Sequence, residues 1–226
     1  MMMISASDEW RTTHPGAAIG LLEISGLTNH LPSAGLEQRK RQIETRLRER
    51  YQGFTRRDFQ SLPLLSAYTR YYKRFNKTYH VLLQLESLVL KGKNLPNVNP
   101  LVDANFMAEV ETLVLTAGHD AGKLHGPLRM DVSHSGDQMT RMDGSLKTLQ
   151  PGDMIMRDTQ GVVCSIIYGQ DESSPISALT THVLYVAYTP PGVSPESVQA
   201  QLDKIMEHVR LFCPVCVLER QEVLTA

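Results

Sequence analysis

Two neighbouring residues that could move a proton, His119 and Asp120, lie in the run Gly118-His119-Asp120-Ala121-Gly122-Lys123. An imidazole changes charge near neutral pH, and a carboxylate beside it can fix which ring nitrogen carries the proton. The same run superficially suggests a phosphate-binding loop. It has one residue too few between its glycines, however, and Leu124 stands where Ser or Thr would bind magnesium. We therefore interpret His119 and Asp120 as candidate acid–base residues and reject a phosphate loop.

The residue types that bind metals do not form a metal-binding pattern here. His119, His125 and His134 with Asp120 fit no ligand spacing that holds a metal ion. Cys213 and Cys216 form a C-x-x-C pair, but they follow a predicted helix, and no second pair completes a four-ligand zinc site. We expect reduced cysteines that pack as small apolar side chains, and no metal.

Positive charge is concentrated in the first half of the chain. Residues 1–100 hold 15 Lys and Arg against 8 Asp and Glu, whereas residues 101–226 hold 8 against 16. Such a basic face could hold RNA, because phosphate contacts dominate the affinity of proteins for nucleic acids. The alternative is a solvated helix face stabilised by pairs such as Glu44–Arg48. Arg46, Arg50, Lys91 and Lys93 are the candidate phosphate contacts.

Hydrophobic spacing predicts the elements that must position these residues. The predicted strands are 17–25, 128–133, 154–157, 162–168 and 183–189. The predicted helices are one that ends near Gly53, one that starts at Pro63, then 81–90, 101–117 with Gly118 as its stop, and a last one after Ser194-Pro195. Aromatic residues of the Pro63 helix, including Tyr68 and Tyr72, alternate with basic ones, which could stack bases but is more typical of a core.

Composition excludes several classes of protein. The 226 residues are 42% hydrophobic and 21% charged, with no low-complexity segment and no apolar run of the roughly 20 residues that a bilayer requires. The acidic N-terminal run does not resemble a signal peptide, and three cysteines do not suggest a secreted disulfide scaffold. We expect one cytoplasmic α/β (α+β) domain over residues 1–226 with no membrane partner, because no linker divides it.

The most informative segments are 59-FQSLPLLSAYTRYYKRF-75 and 91-KGKNLPNVNPLVDANF-106. Together they resemble the tRNA-editing domain of the phenylalanyl-tRNA synthetase β subunit, and especially its free-standing relatives. Those relatives share L-P-x-x-x-A-Y-x-x-x-Y-K-x-F and K-G-K-x-L-P-x-x-N-P-L-V-D. Segments 152–171 and 175–192 look like the strand-turn-strand and the last core strand of the family. The similarity covers about 17–211.

The resemblance implies a three-layer body with a β-sandwich and a pocket for the amino-acid end of a charged tRNA. It implies tRNA and not DNA as the partner, and neither metal nor organic cofactor. An aminoacyl ester is already activated, so a site need only position water and stabilise the oxyanion. The function expected from the resemblance is hydrolysis of mischarged aminoacyl-tRNA in trans. The alternative is a non-catalytic RNA- or small-molecule-binding domain, since a fold does not determine a function.

The resemblance also suggests which residues would form the site. His119 would orient water or the terminal ribose, and Asp120 would set its tautomer, on an exposed turn after the 101–117 helix. The residues expected to contact substrate are Asn99, Asp103, Asn105, Gly169, Thr180 and Thr181. Three departures are visible: the family histidine of P-L-H-A-F-D lies one place from His119, the family glutamate falls near Val186, and the family asparagine that follows V-D by three is here Asn105, two residues on.

Overall fold

The computed structural model describes residues 3–29 and 33–226. The helices of these residues are α1 (Asp8–Thr13), α2 (Ala34–Arg50), α3 (Arg56–Ser61), α4 (Pro63–Lys73), α5 (His80–Val89), α6 (Pro100–Thr112) and α7 (Pro195–Arg210). The strands are β1 (Ile4–Ala6), β2 (Ala18–Ser25), β3 (Thr116–Asp120), β4 (Leu128–Val132), β5 (Gln138–Thr140), β6 (Leu146–Thr148), β7 (Met154–Arg157), β8 (Val162–Ser165), β9 (Gly169–Gln170), β10 (Val183–Thr189) and β11 (Val217–Thr225).

Two sheets carry most of the strands. One has the order β1-β4-β7-β8-β9, and the other has the order β11-β2-β10-β3, while β5 and β6 form a separate hairpin. Helix α7 packs on one face of the four-stranded sheet, so closely that a side chain at Gly20 would collide with Val198 of the helix. On the opposite face, Tyr188 of β10 reaches Cys164 of the five-stranded sheet. The expected α+β class is confirmed.

Helix α4 joins the two sheets through buried tyrosines. The Tyr68 hydroxyl donates to the Tyr188 carbonyl at 2.7 Å in the four-stranded sheet. The Tyr72 hydroxyl donates to the Ile166 carbonyl at 2.6 Å, directly after β8 of the five-stranded sheet. All three of these tyrosines are buried. The aromatic stripe of this helix is therefore core, and its basic residues Arg70 and Lys73 are exposed.

Hydrophobic residues from both halves of the chain share one core. The first half contributes Leu21 from β2 and Leu65 from α4, and the second half contributes Met130 from β4 and Val186 from β10. Non-polar burial of this kind is the main favourable contribution to folding. This shared core is the basis for proposing residues 1–226 as one domain. Among the described residues, no helix is both long enough and apolar enough to cross a membrane.

The predicted helix 101–117 was wrong over its second part. Helix α6 ends at Thr112, Leu113 takes the left-handed conformation with φ 67°, and the chain continues as β3. Gly118 is therefore not a helix stop but lies within a strand. It is small because a Cβ there would lie 2.7 Å from Cδ1 of Ile176 and 3.0 Å from the Tyr185 ring. The change moves His119 from an exposed turn into a sheet.

The other differences concern strand ends and short elements. The predicted strand 162–168 stops at Ser165, because the chain turns and returns as β9. Strand β11 follows α7 and pairs with β2, although no strand was predicted there. The remaining helix and strand predictions agree with the structure to within a few residues, as expected for boundaries, which are the least reliable part of such predictions.

Candidate functional site

A cavity of about 370 Å³ lies between the edge strands of the two sheets and helices α5 and α6. Its lining is mostly apolar, with a few polar groups, as in small-molecule sites. The lining residues are His80, Gln84, Val98, Val102, Asn105, Phe106, Glu109, Leu115, Thr116, Ala117, Gly118, Met142, Cys164, Ser165, Ile166, Gly169, Gln170, Ile176 and Tyr188. Of the residues predicted to contact substrate, Asn105 and Gly169 are in this set.

Asn105 and Glu109, one turn apart on α6, hold the first residue of β3. The Asn105 amide nitrogen donates to the Thr116 carbonyl at 3.0 Å, and Oε1 of Glu109 accepts from the Thr116 N–H at 2.8 Å. These bonds point away from β10, and hydrogen-bonding directions alternate along a strand. The Gly118 backbone therefore faces the same side, where Gly118 lines the cavity.

Glu109 is a carboxyl group placed in apolar surroundings. Burial raises its pKa to about 8, against the smaller opposing effects of the Thr116 N–H and the Gln84 side chain. A buried carboxylate is costly without a cation beside it, so the neutral acid is favoured at pH 7. Burial also lowers the pKa of His80, at the start of α5, to about 4. At neutral pH the cavity therefore contains an uncharged acid and an uncharged imidazole.

His119 is not on an exposed turn but inside β3, with 1% of its surface accessible. Burial lowers its pKa to about 4, so the ring is neutral at pH 7. Its Nδ1 lies 2.8 Å from the Ser174 hydroxyl, while its Nε2 is buried without a hydrogen-bond partner. It does not line the cavity. Gln170, which does, donates to the Ser174 carbonyl at 2.8 Å, so His119 is connected to the cavity through Ser174 and Gln170.

The expectation that Asp120 sets the His119 tautomer was wrong. Successive strand residues point to opposite faces, so neighbours in a strand cannot share a hydrogen bond of that kind. Asp120 instead accepts from the Thr180 hydroxyl at 2.8 Å and from the Gly122 N–H at 3.1 Å. Thr181 is exposed beside Thr180. The partner that His119 does find is Ser174.

Asn99 and Thr180 belong to a network that reaches Asp120 without entering the cavity. Oδ1 of Asn99 caps α6 by accepting from the Val102 N–H, and it also accepts from the Asn29 amide. The same Asn29 amide donates to the Ser177 carbonyl, and the Ser177 N–H donates to the Thr180 hydroxyl. The structure thus brings Asn99, Thr180 and Asp120 together, with their polar atoms bonded mainly to protein groups.

Asp103 contributes to a buried ion pair. Its Oδ2 accepts from Nζ of Lys40 at 2.9 Å, and its Oδ1 accepts from the Val98 N–H at 3.0 Å. Lys40 is fully buried and also donates to the Pro96 carbonyl and to Asn97. A buried charge requires such a partner. The motif around Asp103 thus fixes the 91–103 segment to α2.

The predicted phosphate contacts differ in how far they are already paired. Arg46 forms an ion pair with Glu111 at 2.8 Å, and the Arg50 guanidinium lies 5.2 Å from the Tyr51 ring centre. Lys91 and Lys93 are exposed in the loop after α5, the helix that contributes His80 and Gln84 to the cavity. A smaller cavity lined by Gln84, Phe106 and Asn94 continues towards this loop.

The two cysteines of the C-x-x-C are free, with Cys213 buried and Cys216 partly buried. The Cys213 thiol lies 3.5 Å from the Gly26 carbonyl, and burial raises the pKa of Cys216. Within residues 3–29 and 33–226, no group of three or more His, Cys, Asp or Glu residues is arranged to hold a metal ion. Thiols with raised pKa values are poor nucleophiles at neutral pH.

Sequence reasoning missed the acidic residue that distinguishes the cavity. Glu109 lies in the helical run 104-ANFMAEVET-112, where the neighbouring side chains are mainly apolar. A carboxylate on an apolar helix face, four residues after Asn105, is an unusual pattern that could have marked it. No sequence pattern could have marked Gln84 as a cavity residue, because α5 and α6 meet only in the folded chain.

The raised pKa of Glu109 predicts a specific dependence of stability on pH. The free energy of unfolding should fall as pH rises from about 4.5, where the carboxyl ionises in the unfolded chain, to about 8, where it ionises in the folded protein. Glu109→Gln removes this titration. The free energy of unfolding of the variant minus that of the wild type should therefore grow from pH 5 to 8, by up to about 1.4 kcal/mol per unit.

Denaturant unfolding at several pH values would measure this difference. Glu207→Gln is the matched control, because Lys204 and Arg39 lower the pKa of Glu207 to about 2 and its ionisation is complete above pH 5. The difference for the control should stay constant over the same interval. A constant difference for Glu109→Gln as well would mean that Glu109 is already ionised at pH 5.

Comparisons with known proteins place the chain in a family. A family model described as the B3/4 domain matches residues 65–213, which is more than half of the chain. No curated protein sequence matches significantly.

Among solved structures, one similar chain is an N-terminal fragment of the phenylalanyl-tRNA synthetase β subunit from Pyrococcus horikoshii. The TM-score is 0.49 and the sequence identity is 10%, over 98% of this chain and 50% of that chain. This chain thus spans about half the length of that fragment. The resemblance found in the sequence motifs is confirmed by the family model. The chain belongs to the B3/4 domain family, which is found in the phenylalanyl-tRNA synthetase β subunit.

Proposed function

We propose that this protein binds the aminoacylated end of a tRNA in the cytoplasm and hydrolyses mischarged aminoacyl esters in trans. The observation that carries the proposal is the cavity between the two sheet edges in a chain of the B3/4 family. At about 370 Å³ it can enclose an amino-acid side chain, and its mouth must leave the tRNA outside.

The groups around the cavity support ester hydrolysis without a metal. The ester is already activated, so the protein needs to orient water and stabilise the developing oxyanion. The Gly118 N–H faces the cavity side of β3, away from β10. A backbone N–H stabilises an oxyanion when it lies within hydrogen-bond reach of it.

The alternative is a binding domain that has the cavity and lacks the chemistry. The absence of a carboxylate near Val186, where the family has its glutamate, favours this alternative. In the alternative, Asn105 and Glu109 would only stabilise β3, and the cavity would hold its ligand without turnover. The two functions differ in one measurable quantity, the rate at which the ester is lost.

A cavity-filling variant tests whether the cavity is the reaction site. Val102 lines the cavity and is half-buried on α6, so Val102→Trp should fill space without displacing the core. Wild-type protein should accelerate hydrolysis of at least one misacylated tRNA in a panel covering the amino acids. The variant should lose this acceleration by about a hundredfold, the scale of losing a positioned substrate, and should still bind uncharged tRNA.

Leu83→Trp is the matched control, because Leu83 is exposed on α5 and does not line the cavity. Its rate should equal that of the wild type. If no aminoacyl-tRNA is hydrolysed by the wild type, the binding-domain function is supported instead. If hydrolysis survives Val102→Trp unchanged, the reaction takes place elsewhere on the protein.

We also propose that His119 acts as a positioning residue through Ser174 and Gln170. His119→Ala leaves the Ser174 hydroxyl without this partner and should reduce the single-turnover rate of deacylation by about tenfold to a hundredfold, the lower part of acid–base effects. The affinity for uncharged tRNA should not change. The loss should persist at every pH between 5.5 and 8, because the imidazole, with its pKa about 4, is neutral throughout.

His125→Ala provides the comparison for this variant, since His125 is exposed and its backbone hydrogen bonds go to Asp158 and Thr159, not to Ser174. An equal effect of both substitutions, or no effect of His119→Ala, would remove His119 from the mechanism.

Charge removal tests the proposed contacts with tRNA phosphates. Lys91→Gln/Lys93→Gln should weaken binding of uncharged tRNA. Log affinity should also fall less steeply with log salt, with the magnitude of the slope reduced by about one to two, since each phosphate contact contributes about 0.7 to 0.9. Arg46→Gln/Arg50→Gln should have a smaller effect, because Arg46 is already paired with Glu111.

Filter binding or fluorescence anisotropy over a series of salt concentrations measures both quantities. Lys204→Gln is the control, because Lys204 is paired with Glu207 on α7. Unchanged affinity and slope in both double variants would leave these residues as an ordinary solvated surface.

A further inference from the structure

Two buried oxygens beside the cavity lack any hydrogen-bond partner. They are Oδ1 of Asn105 and Oε1 of Gln84, on facing helices α6 and α5, and both residues line the cavity. Asn105 is 94% buried, with 6% of its surface accessible. An unpaired buried carbonyl oxygen costs about 1–3 kcal/mol, and a ligand that donates a hydrogen bond to it would remove this cost.

The neighbours of Asn105 determine the orientation of its amide, because its nitrogen must face the Thr116 carbonyl, which can only accept a hydrogen bond. The Gln84 amide lies beside the carboxyl group of Glu109. In both side chains the amide oxygen is the end that has no hydrogen-bond partner.

Glu109 lies one turn after Asn105 on α6, beside Gln84, and adds a third acceptor. Its Oε1 is engaged by the Thr116 N–H, and the rest of the carboxyl group is beside Gln84 and the cavity. No Lys or Arg is among the residues that line this cavity. A carboxylate or phosphate would therefore lack a cationic partner here, whereas a group rich in N–H donors would be stabilised by the free acceptors.

We propose that Gln84, Asn105 and Glu109, the acceptor cluster, bind a primary ammonium group. An ammonium group has three donors, which matches three acceptor oxygens, whereas a hydroxyl has only one. Under the proposed function, on which the identity of the ligand rests, this group is the free α-ammonium of the aminoacyl ester. The site would then select aminoacyl-tRNA and exclude tRNA whose amino acid is N-acylated.

Ammonium binding requires the Glu109 carboxylate, because a buried cation needs a partner of opposite charge. The titratable groups that face Glu109 are His80 from α5, Cys164 from β8, Tyr188 from β10 and, beyond them, the core tyrosines Tyr68, Tyr72 and Tyr79. Burial lowers the pKa of His80 to about 4 and raises that of Cys164 to about 12, and it raises the pKa values of the tyrosines. All are uncharged at pH 7. Glu109, with its pKa about 8, should therefore release about one proton when the ammonium binds.

Titration calorimetry of the full protein with free amino-acid amides tests this inference without tRNA. The probes are leucinamide and phenylalaninamide, each compared with its N-acetyl derivative, which has the same side chain and no charge. At pH 7 at least one free amide should bind tenfold or more tightly than its N-acetyl form. Repeating the titration in buffers of different ionisation enthalpy should show the release of close to one proton.

Two variants separate ligand binding from folding. Glu109→Gln keeps the acceptor for Thr116 and should abolish both the preference for the free amine and the proton release. Gln84→Met removes one acceptor without touching Thr116 and should reduce the preference three- to tenfold. Glu207→Gln, far away on α7, should retain the wild-type preference.

Equal binding of the free and N-acetylated amides would overturn the inference, as would a preference that survives in Glu109→Gln. So would failure of both free amides to bind at millimolar concentration. The proposed deacylation is judged separately by ester hydrolysis. If the protein binds amines but hydrolyses no ester, the ammonium site is supported and the enzymatic function is not. If it hydrolyses esters but does not bind the amines, the enzymatic function is supported and the ammonium site is not.

Discussion

The buried hydroxyl groups of helix α4 hold the cavity open by fixing the two sheets relative to each other. Tyr68 donates to the Tyr188 carbonyl and accepts from the Leu115 N–H, which ties the end of β10 to the start of β3. Tyr71 donates to Asp153 and accepts from the Met154 N–H, at the start of β7. A buried hydroxyl must find such partners, so these contacts specify one arrangement of helix and sheets. The gap between the edges of the two sheets follows from that arrangement.

The chemistry of the cavity follows from the burial of its polar groups. Glu109 stays protonated because no cation lies beside it, and the amides of Asn105 and Gln84 each have one end bonded and one end free. A low-dielectric site strengthens every electrostatic interaction that a ligand can make with these groups. Such a site discriminates between ligands by their hydrogen-bond donors, because a wrong ligand leaves buried acceptors unpaired. Side-chain size is then a second criterion, decided by the apolar part of the lining.

Local sequence patterns were sufficient for most elements and insufficient for the site. The core strand β10 and the Pro63 helix could be predicted because apolar spacing and helix caps are encoded within a few residues. His119 was misplaced because Leu113 ends α6 in a left-handed conformation. Neither the β-branched residues beside Leu113 nor Gly118, five residues further on, indicated that the helix ends there. Asn105 and Gly169, which the family resemblance suggested, line the cavity. Glu109 and Gln84 lie on different helices and come together only in the folded protein, so no spacing along the sequence could have predicted their contact.

The position of β2 in the centre of the four-stranded sheet has a consequence for how the protein is made. Its partners β10 and β11 lie more than 150 residues further along the chain, so the sheet has no local way to begin. On a ribosome, at about 5–20 residues per second, the apolar side chains of β2 would wait roughly 10 to 30 seconds for β10. Contacts of such long range also slow folding after synthesis. The newly made chain therefore exposes an apolar strand until the partners of that strand have been synthesised.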